Sequence, residues 1–145
     1  MPIEALAIDV PTFLPGITIN AGKLIFDETK LLYPGDLLHE AGHLAVLTPE
    51  ERAGVNGRLP VDGGGEMAAI AWSYAGVLSA GLAPEVLFHE HGYRDGADAL
   101  LENFAAGRYI GVPLLQWMGL TIEPSKAALV GHSPYPHMIR WLRSA

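Results

Sequence analysis

The segment that most constrains this chain is Pro34-Gly35-Asp36-Leu37-Leu38-His39-Glu40-Ala41-Gly42-His43-Leu44-Ala45-Val46. Asp36 is placed to accept from the free N–H groups of a first turn. Pro34 and Gly35 break whatever precedes it, and Leu, Ala and Val fill the interior, so the pattern predicts a helix from about Leu37. Positions four apart on a helix differ by only about 40°, which stacks the imidazoles of His39 and His43 one above the other, within reach of one metal ion. Glu40 falls about 100° from His39 and about 60° from His43, beside such an ion rather than on it. A carboxylate there suits proton transfer to and from a metal-activated water. Leu37, Ala41, Leu44 and Ala45 form an apolar stripe on the opposite side, so one face anchors the helix and the other carries the chemistry.

With 145 residues, one domain spanning 1–145 is expected, large enough to bury about two-thirds of its unfolded surface. Half the residues are apolar, enough for a full core and for apolar surface hidden in a homo-oligomer. The formal charge of −7, with no Lys/Arg cluster, argues against nucleic acid and anionic membrane as partners. There is no cysteine, so any zinc has to be held by His and carboxylates. The start of the chain lacks the basic and apolar regions of a signal peptide, and no apolar run reaches membrane-spanning length. A cytoplasmic location is the expectation.

Ahead of the helix, Ile3 to Val10 reads as a first strand or a short helix. Gly16 to Asp27 reads as a hairpin, two short β-rich runs separated by Asn20 to Gly22, whose edge would hydrogen-bond an extended peptide. After the helix, Thr48-Pro49-Glu50-Glu51 is an N-cap, a proline at the first helical position and a first acidic turn, predicting a short helix through Ala53. Val55 to Gly65, with Pro60 and three consecutive glycines, is expected to be loop. Glu66 then opens an Ala-rich helix through Leu78. A tetrahedral ion held by two imidazoles needs a further protein ligand, and Glu66 is positioned to supply it if the two helices pack together. Ser73 and Tyr74 share the side of that helix on which Glu66 lies.

An HExxH helix followed about twenty positions later by a glutamate on the next helix resembles the gluzincin branch of the zincin metallopeptidases, and the short length resembles the minimal single-domain gluzincins. The similarity covers about Ile17 to Leu82. It implies an α+β, zincin-like fold, with a small N-terminal hairpin or sheet on an active-site helix, a glutamate helix after it, and a helical C-terminal part. It further implies Zn2+ held by His39, His43 and Glu66, with Glu40 as general base in the hydrolysis of an extended peptide or protein substrate. Many gluzincins carry an acid four positions after the ligand glutamate, where it orients a ligand imidazole; Ile70 occupies that position here.

The C-terminal part offers further polar candidates. If Pro84 to Asp95 is extended, His89 and His91 point to one side, as metal ligands or transition-state donors would. Asp95 to Gly107 reads as a helix ended by glycine. Pro113 to Leu120, with Trp117 and Met118, reads as core. His132, Tyr135 and His137 fall in a Gly/Pro-rich loop before an expected last helix, Met138 to Ser144, and any of them is a candidate oxyanion donor. Two other readings stand beside the peptidase: a zincin-like domain kept as a binding or regulatory module with weak or no catalysis, and a non-proteolytic zinc amidohydrolase using the same metal set.

Overall fold

The computed structural model describes residues 1–59, 62–93 and 96–145. Pro60, assigned above to a loop, and Asp95, assigned to an extended stretch and a helix start, lie outside the described residues.

The N-terminal part folds into a mixed three-stranded sheet in the order β1-β3-β2: β1 (Ile3–Ala5), β2 (Ile17–Asn20) and β3 (Lys23–Phe26). The first segment is thus a strand, parallel to β3, with Ile3 opposite Leu24 and Ala5 opposite Phe26. The predicted hairpin forms, with Asn20 paired to Lys23. Ala21 and Gly22 both take positive φ, 48° and 74°, which is the two-residue turn whose twist matches the strands on either side. Gly22 is further required because a Cβ there would lie 2.5 Å from the Arg52 carbonyl oxygen.

Among the described residues, six α-helices follow: α1 (Pro34–Val46), α2 (Pro49–Ala53), α3 (Gly63–Ser79), α4 (Ala97–Ala105), α5 (Val112–Trp117) and α6 (Pro124–Val130). The fold is therefore α+β. None of the helices, among the described residues, is long and apolar enough to cross a membrane. Leu24 of the sheet, Leu44 of α1 and Val77 of α3 are fully buried, together with Leu87, Leu115 and Leu120 from the later part of the chain. Leu44 joins the two halves because the apolar stripe of α1 faces that core, as its spacing predicts. In α2 the Thr48 hydroxyl accepts from the Glu51 N–H and the Glu51 carboxylate accepts from the Thr48 N–H, a complete capping box.

Several boundaries depart from the sequence reading. Helix α1 starts at Pro34 with Tyr33 at its cap, so Asp36 sits inside the first turn rather than before it. The three glycines do not form a loop. They are the first turn of α3, held by Asp62, whose carboxylate accepts from the Gly65 N–H at 2.7 Å. Pro84 to Val86 is a 3-10 turn, so the segment carrying His89 and His91 is not a strand. Trp117, expected in the core, is 73% exposed at the end of α5 and lies under the Arg143 guanidinium. Residues after Met138 form bends instead of a helix, because Ile139 N–H bonds back to Leu120 and Arg143 N–H to Ala45, pinning the chain as irregular backbone.

The C-terminal end of α1 is finished by a side chain from another element. The Arg52 guanidinium donates to the carbonyls of Leu44 at 2.8 Å and Leu47 at 2.9 Å, and reaches the carbonyl of Arg143 at 3.0 Å. A cation in contact with the orphan carbonyls of a helix end stabilises it twice, by hydrogen bonding and against the helix dipole. Arg52→Met, which keeps the stem and removes the donors, is expected to lower unfolding free energy by about 2–4 kcal/mol in denaturant titration.

Asp27 locks the sheet to the segment before α1. Its carboxylate accepts from the Ile8 N–H, the Thr29 N–H and the Thr29 hydroxyl. These bonds, led by the Thr29 hydroxyl, hold its pKa below the usual carboxylate range. The stabilisation is therefore present above the unfolded-state pKa and disappears as pH falls through the lower folded value. Asp27→Asn should be less stable than the parent at pH 7, and the gap in melting temperature should close as pH drops below about 4.

Candidate metal centre

Helices α1 and α3 pack side by side, and the approach is set by Gly42, the glycine inside HEAGH. A Cβ at that position would lie 2.7 Å from the Ser73 hydroxyl oxygen and 2.8 Å from the Ala69 carbonyl. Ser73 is fully buried, its hydroxyl 2.6 Å from the Ala69 carbonyl and 3.4 Å from the Leu38 carbonyl of α1, so it fills the space that only a glycine at position 42 leaves open. One turn before Ala69, this contact delivers Glu66 to the paired imidazoles.

Three side chains converge there. The Nε2 atoms of His39 and His43 are 3.1 Å apart. One oxygen of Glu66 lies 3.3 Å from His39 Nε2 and the other 2.8 Å from His43 Nε2. A tetrahedral ion with bonds of roughly 2.0–2.1 Å separates its ligands by about 3.3 Å, and the spacings between the two imidazoles and the carboxylate are near that size. Each Nε2 has only one in-plane lone pair or N–H, and cannot direct it along two edges of a triangle at once. A common centre satisfies the three side chains better than their mutual hydrogen bonds do. His39, Glu40 and His43 also offer ligand atoms within 4.8 Å of one another, close enough to hold a metal ion.

Burial and charge set the protonation states. His43 is buried and Glu66 half-buried, and hydrogen bonds first from His39 and then from His43 hold the Glu66 carboxyl far below the usual carboxylate range. It is an anion facing two imidazoles, the form a cation needs. Burial pushes the Glu40 carboxyl up, against the opposing pull of His43 and His39. The two carboxylates are thus driven apart, one fixed as an anion and the other made a better proton acceptor. His39 Nδ1 is buried without a hydrogen-bond partner among the described residues. Ile70, at the position that an orienting acid would take, is itself buried.

The remaining sequence candidates separate. His89 is tied to α1, its Nε2 lying 2.7 Å from Asp36 Oδ1 and its ring stacked on Tyr33 at 4.2 Å. This is what Asp36 does in place of the capping role expected from sequence. His91 is exposed, beside Glu90 and against the far part of the Tyr33 ring. The two are not ligands pointing to one side. Tyr74 turns inward into a cluster with Phe104 and Phe88, and Ser73 is spent on helix packing, so neither reaches the imidazole pair. His132 and His137 are exposed in the turns after α6 and share no hydrogen bond, ion pair or ring contact with the pair. Tyr135 is buried and donates to the Ala71 carbonyl at 2.7 Å.

One residue near the site has no sequence signal. Tyr93 packs edge-on against His39 with ring centroids 5.4 Å apart, and against Phe88 at 5.3 Å. Its backbone takes φ 59°, a left-handed conformation costly for an aromatic residue. Burial, reinforced by the charges of Glu66, Asp36 and Glu40, holds its phenol protonated well above the ordinary range. A protonated phenol ring is therefore kept against His39.

Compared with protein-family models, curated proteins and solved structures, the chain matches none.

Gly42→Ala tests the geometry. The Ala69 carbonyl is backbone and cannot step aside, so the helices must part. The variant is expected to lose about 1–3 kcal/mol of stability and to bind Zn2+ at least about tenfold more weakly, as read by competition with a chromogenic chelator.

Proposed function

We propose that the protein is a zinc-dependent metallopeptidase of the gluzincin type, in which His39, His43 and Glu66 hold Zn2+ and Glu40 is the general base. The reading is carried by the convergence of His39 Nε2, His43 Nε2 and the Glu66 carboxylate on one point from two helices. Glu40 lies beside that point and is the more basic of the two carboxylates. Imidazole and carboxylate are borderline and hard donors suited to zinc, and cysteine plays no part.

Zinc supplies the Lewis acid that polarises a carbonyl and makes a water acidic near neutrality. Everything else falls to the chain. Glu40 takes a proton from the attacking water and returns it to the leaving amine as the C–N bond breaks. Glu66 stays ionised throughout and offsets the ion's charge. The Tyr93 phenol, protonated at any physiological pH, is the donor best placed to stabilise the developing oxyanion. Asp36 and His89 join the start of α1 to the segment that carries Tyr93, which keeps the phenol against His39.

A second reading, a binding module of the same architecture, is favoured by one observation: His39 Nδ1 has no acceptor among the described residues, where a partner would raise ligand basicity. The two readings differ in turnover. Purified protein refolded with zinc is expected to hold one ion per chain by elemental analysis. Glu66→Ala should lose that ion while Glu40→Gln keeps it. Cleavage of an unbiased peptide mixture, followed by mass spectrometry, should fall by about 10²–10⁴-fold in Glu40→Gln. Zinc retained with no cleavage by the parent protein would favour the module, and cleavage unaffected by Glu40→Gln would remove the mechanism.

A further inference from the structure

Beside Glu40 the sheet presents a groove against the outer edge of β2, and its form says what can enter it. Strand β2 pairs with β3 through Thr18 and Asn20. The N–H and C=O groups of Ile17 and Ile19 point outward, because the Leu24 N–H opposite Ile19 bonds away to Pro2, and the Ile19 carbonyl accepts from Gly57. The chain itself covers both ends of this edge: the Ile17 N–H donates to the Leu14 carbonyl at 3.2 Å, and the Ile19 carbonyl accepts from the Gly57 N–H at 2.7 Å. Between them the Ile17 carbonyl and the Ile19 N–H have no partner among the described residues. The strand edge thus leaves one acceptor and one donor unused among the described residues, on residues only 5% and 4% exposed, enough to pair a single residue of an extended chain.

The two covering segments also furnish the walls. Phe13 precedes Leu14, Arg58 follows Gly57, and both line the same groove as Glu40 and the β2 edge. The Arg58 guanidinium lies 3.8 Å from the centre of the Phe13 ring. Acids outnumber bases by 16 to 9 in this chain, yet the Arg58 side chain has no carboxylate or hydrogen-bond partner among the described residues. Other basic residues do: Lys23, Lys30, Arg108 and Lys126 face carboxylates, and Arg52 and Arg143 face carbonyls. Arg58 is exposed, held by a stack that leaves its donor edge open.

We infer that Arg58 is a specificity-determining residue that binds a carboxylate of the peptide, side-chain or C-terminal, next to the residue paired with β2. The inference rests on the peptidase reading for the location of the scissile bond. A planar guanidinium accepts a carboxylate in a bidentate fork, and ring stacking fixes its plane beforehand, so little ordering remains for the ligand to impose. Without such a group the groove offers a peptide only two backbone bonds and the Phe13 face.

The test uses zinc-loaded full-length protein and three sets of short peptides with degenerate flanking positions: Glu-containing with an amidated C-terminus, the same with Gln, and the Gln set with a free C-terminal carboxylate. Binding to the Glu40→Gln protein and cleavage by the parent are measured in parallel. One carboxylate set should be preferred over the Gln amides by about tenfold or more, the set that wins naming the source. Arg58→Met should bring the ratio to within about twofold, and Arg58→Lys should retain part of it. Equal treatment of all three sets by the parent, or a preference that survives Arg58→Met, overturns the inference. Carboxylate-selective binding without cleavage keeps Arg58 and removes the peptidase, whereas cleavage without selectivity does the reverse. If no set is bound or cleaved, both fall.

Discussion

The contact between Gly42 and the Ala69–Ser73 turn governs the rest of this structure. Two helices can share one metal ion only if their axes come close enough for short side chains to meet, and a Cβ at Gly42 would prevent it. The small residues of α3 that touch α1, Ala69, Ser73 and Gly76, are matched by Gly42 and Leu38 on the other side. That match fixes the height of α3 along α1, and so puts Glu66 opposite His39 and His43 instead of a turn away. The Asp62 cap then ensures that the chain is already helical when it reaches Glu66.

Around this packed pair the chain distributes its strain and unsatisfied groups unevenly. On the scaffold side Arg52 closes α1, Asp27 ties the sheet, and Tyr135 donates to α3. The site side and the segment beside it hold two buried imidazole nitrogens, of His39 and His89, without a partner among the described residues, a tyrosine in a left-handed conformation and two outward backbone groups on β2. Departures from local preference gathered at one face of an otherwise consistent fold are what a binding or reactive surface requires, since each is stable only because its surroundings over-determine it. The anionic Glu66 and the more basic Glu40 follow the same logic, two carboxylates driven apart by different neighbours.

The sheet is equally shaped by what it has to avoid. A free edge strand pairs with any extended chain, and here Leu14 and Gly57 blunt it at both ends. What is left is selective by length, and the residues that do the blunting bring Phe13 and Arg58 to the opening. Protection of the edge and construction of the groove are therefore one feature.

The sequence determined what depends on near neighbours. The i, i+4 spacing of His39 and His43 with Glu40 between them, the hairpin with its Ala21-Gly22 turn and the Thr48 capping box are local, because helical and strand periods and turn sterics act over a few residues. The Ala-rich run after Glu66 was visible as a pattern, though its meaning lay in a contact with Gly42 of another helix. Tertiary structure alone decided that Asp36 partners His89 instead of capping α1, that Tyr74 turns inward while Tyr93 faces His39, and that Arg58 stands over Phe13. Each of these joins residues far apart in the chain, and which pair meets is settled by how the core packs, an energy shared over many contacts that no short window of sequence contains.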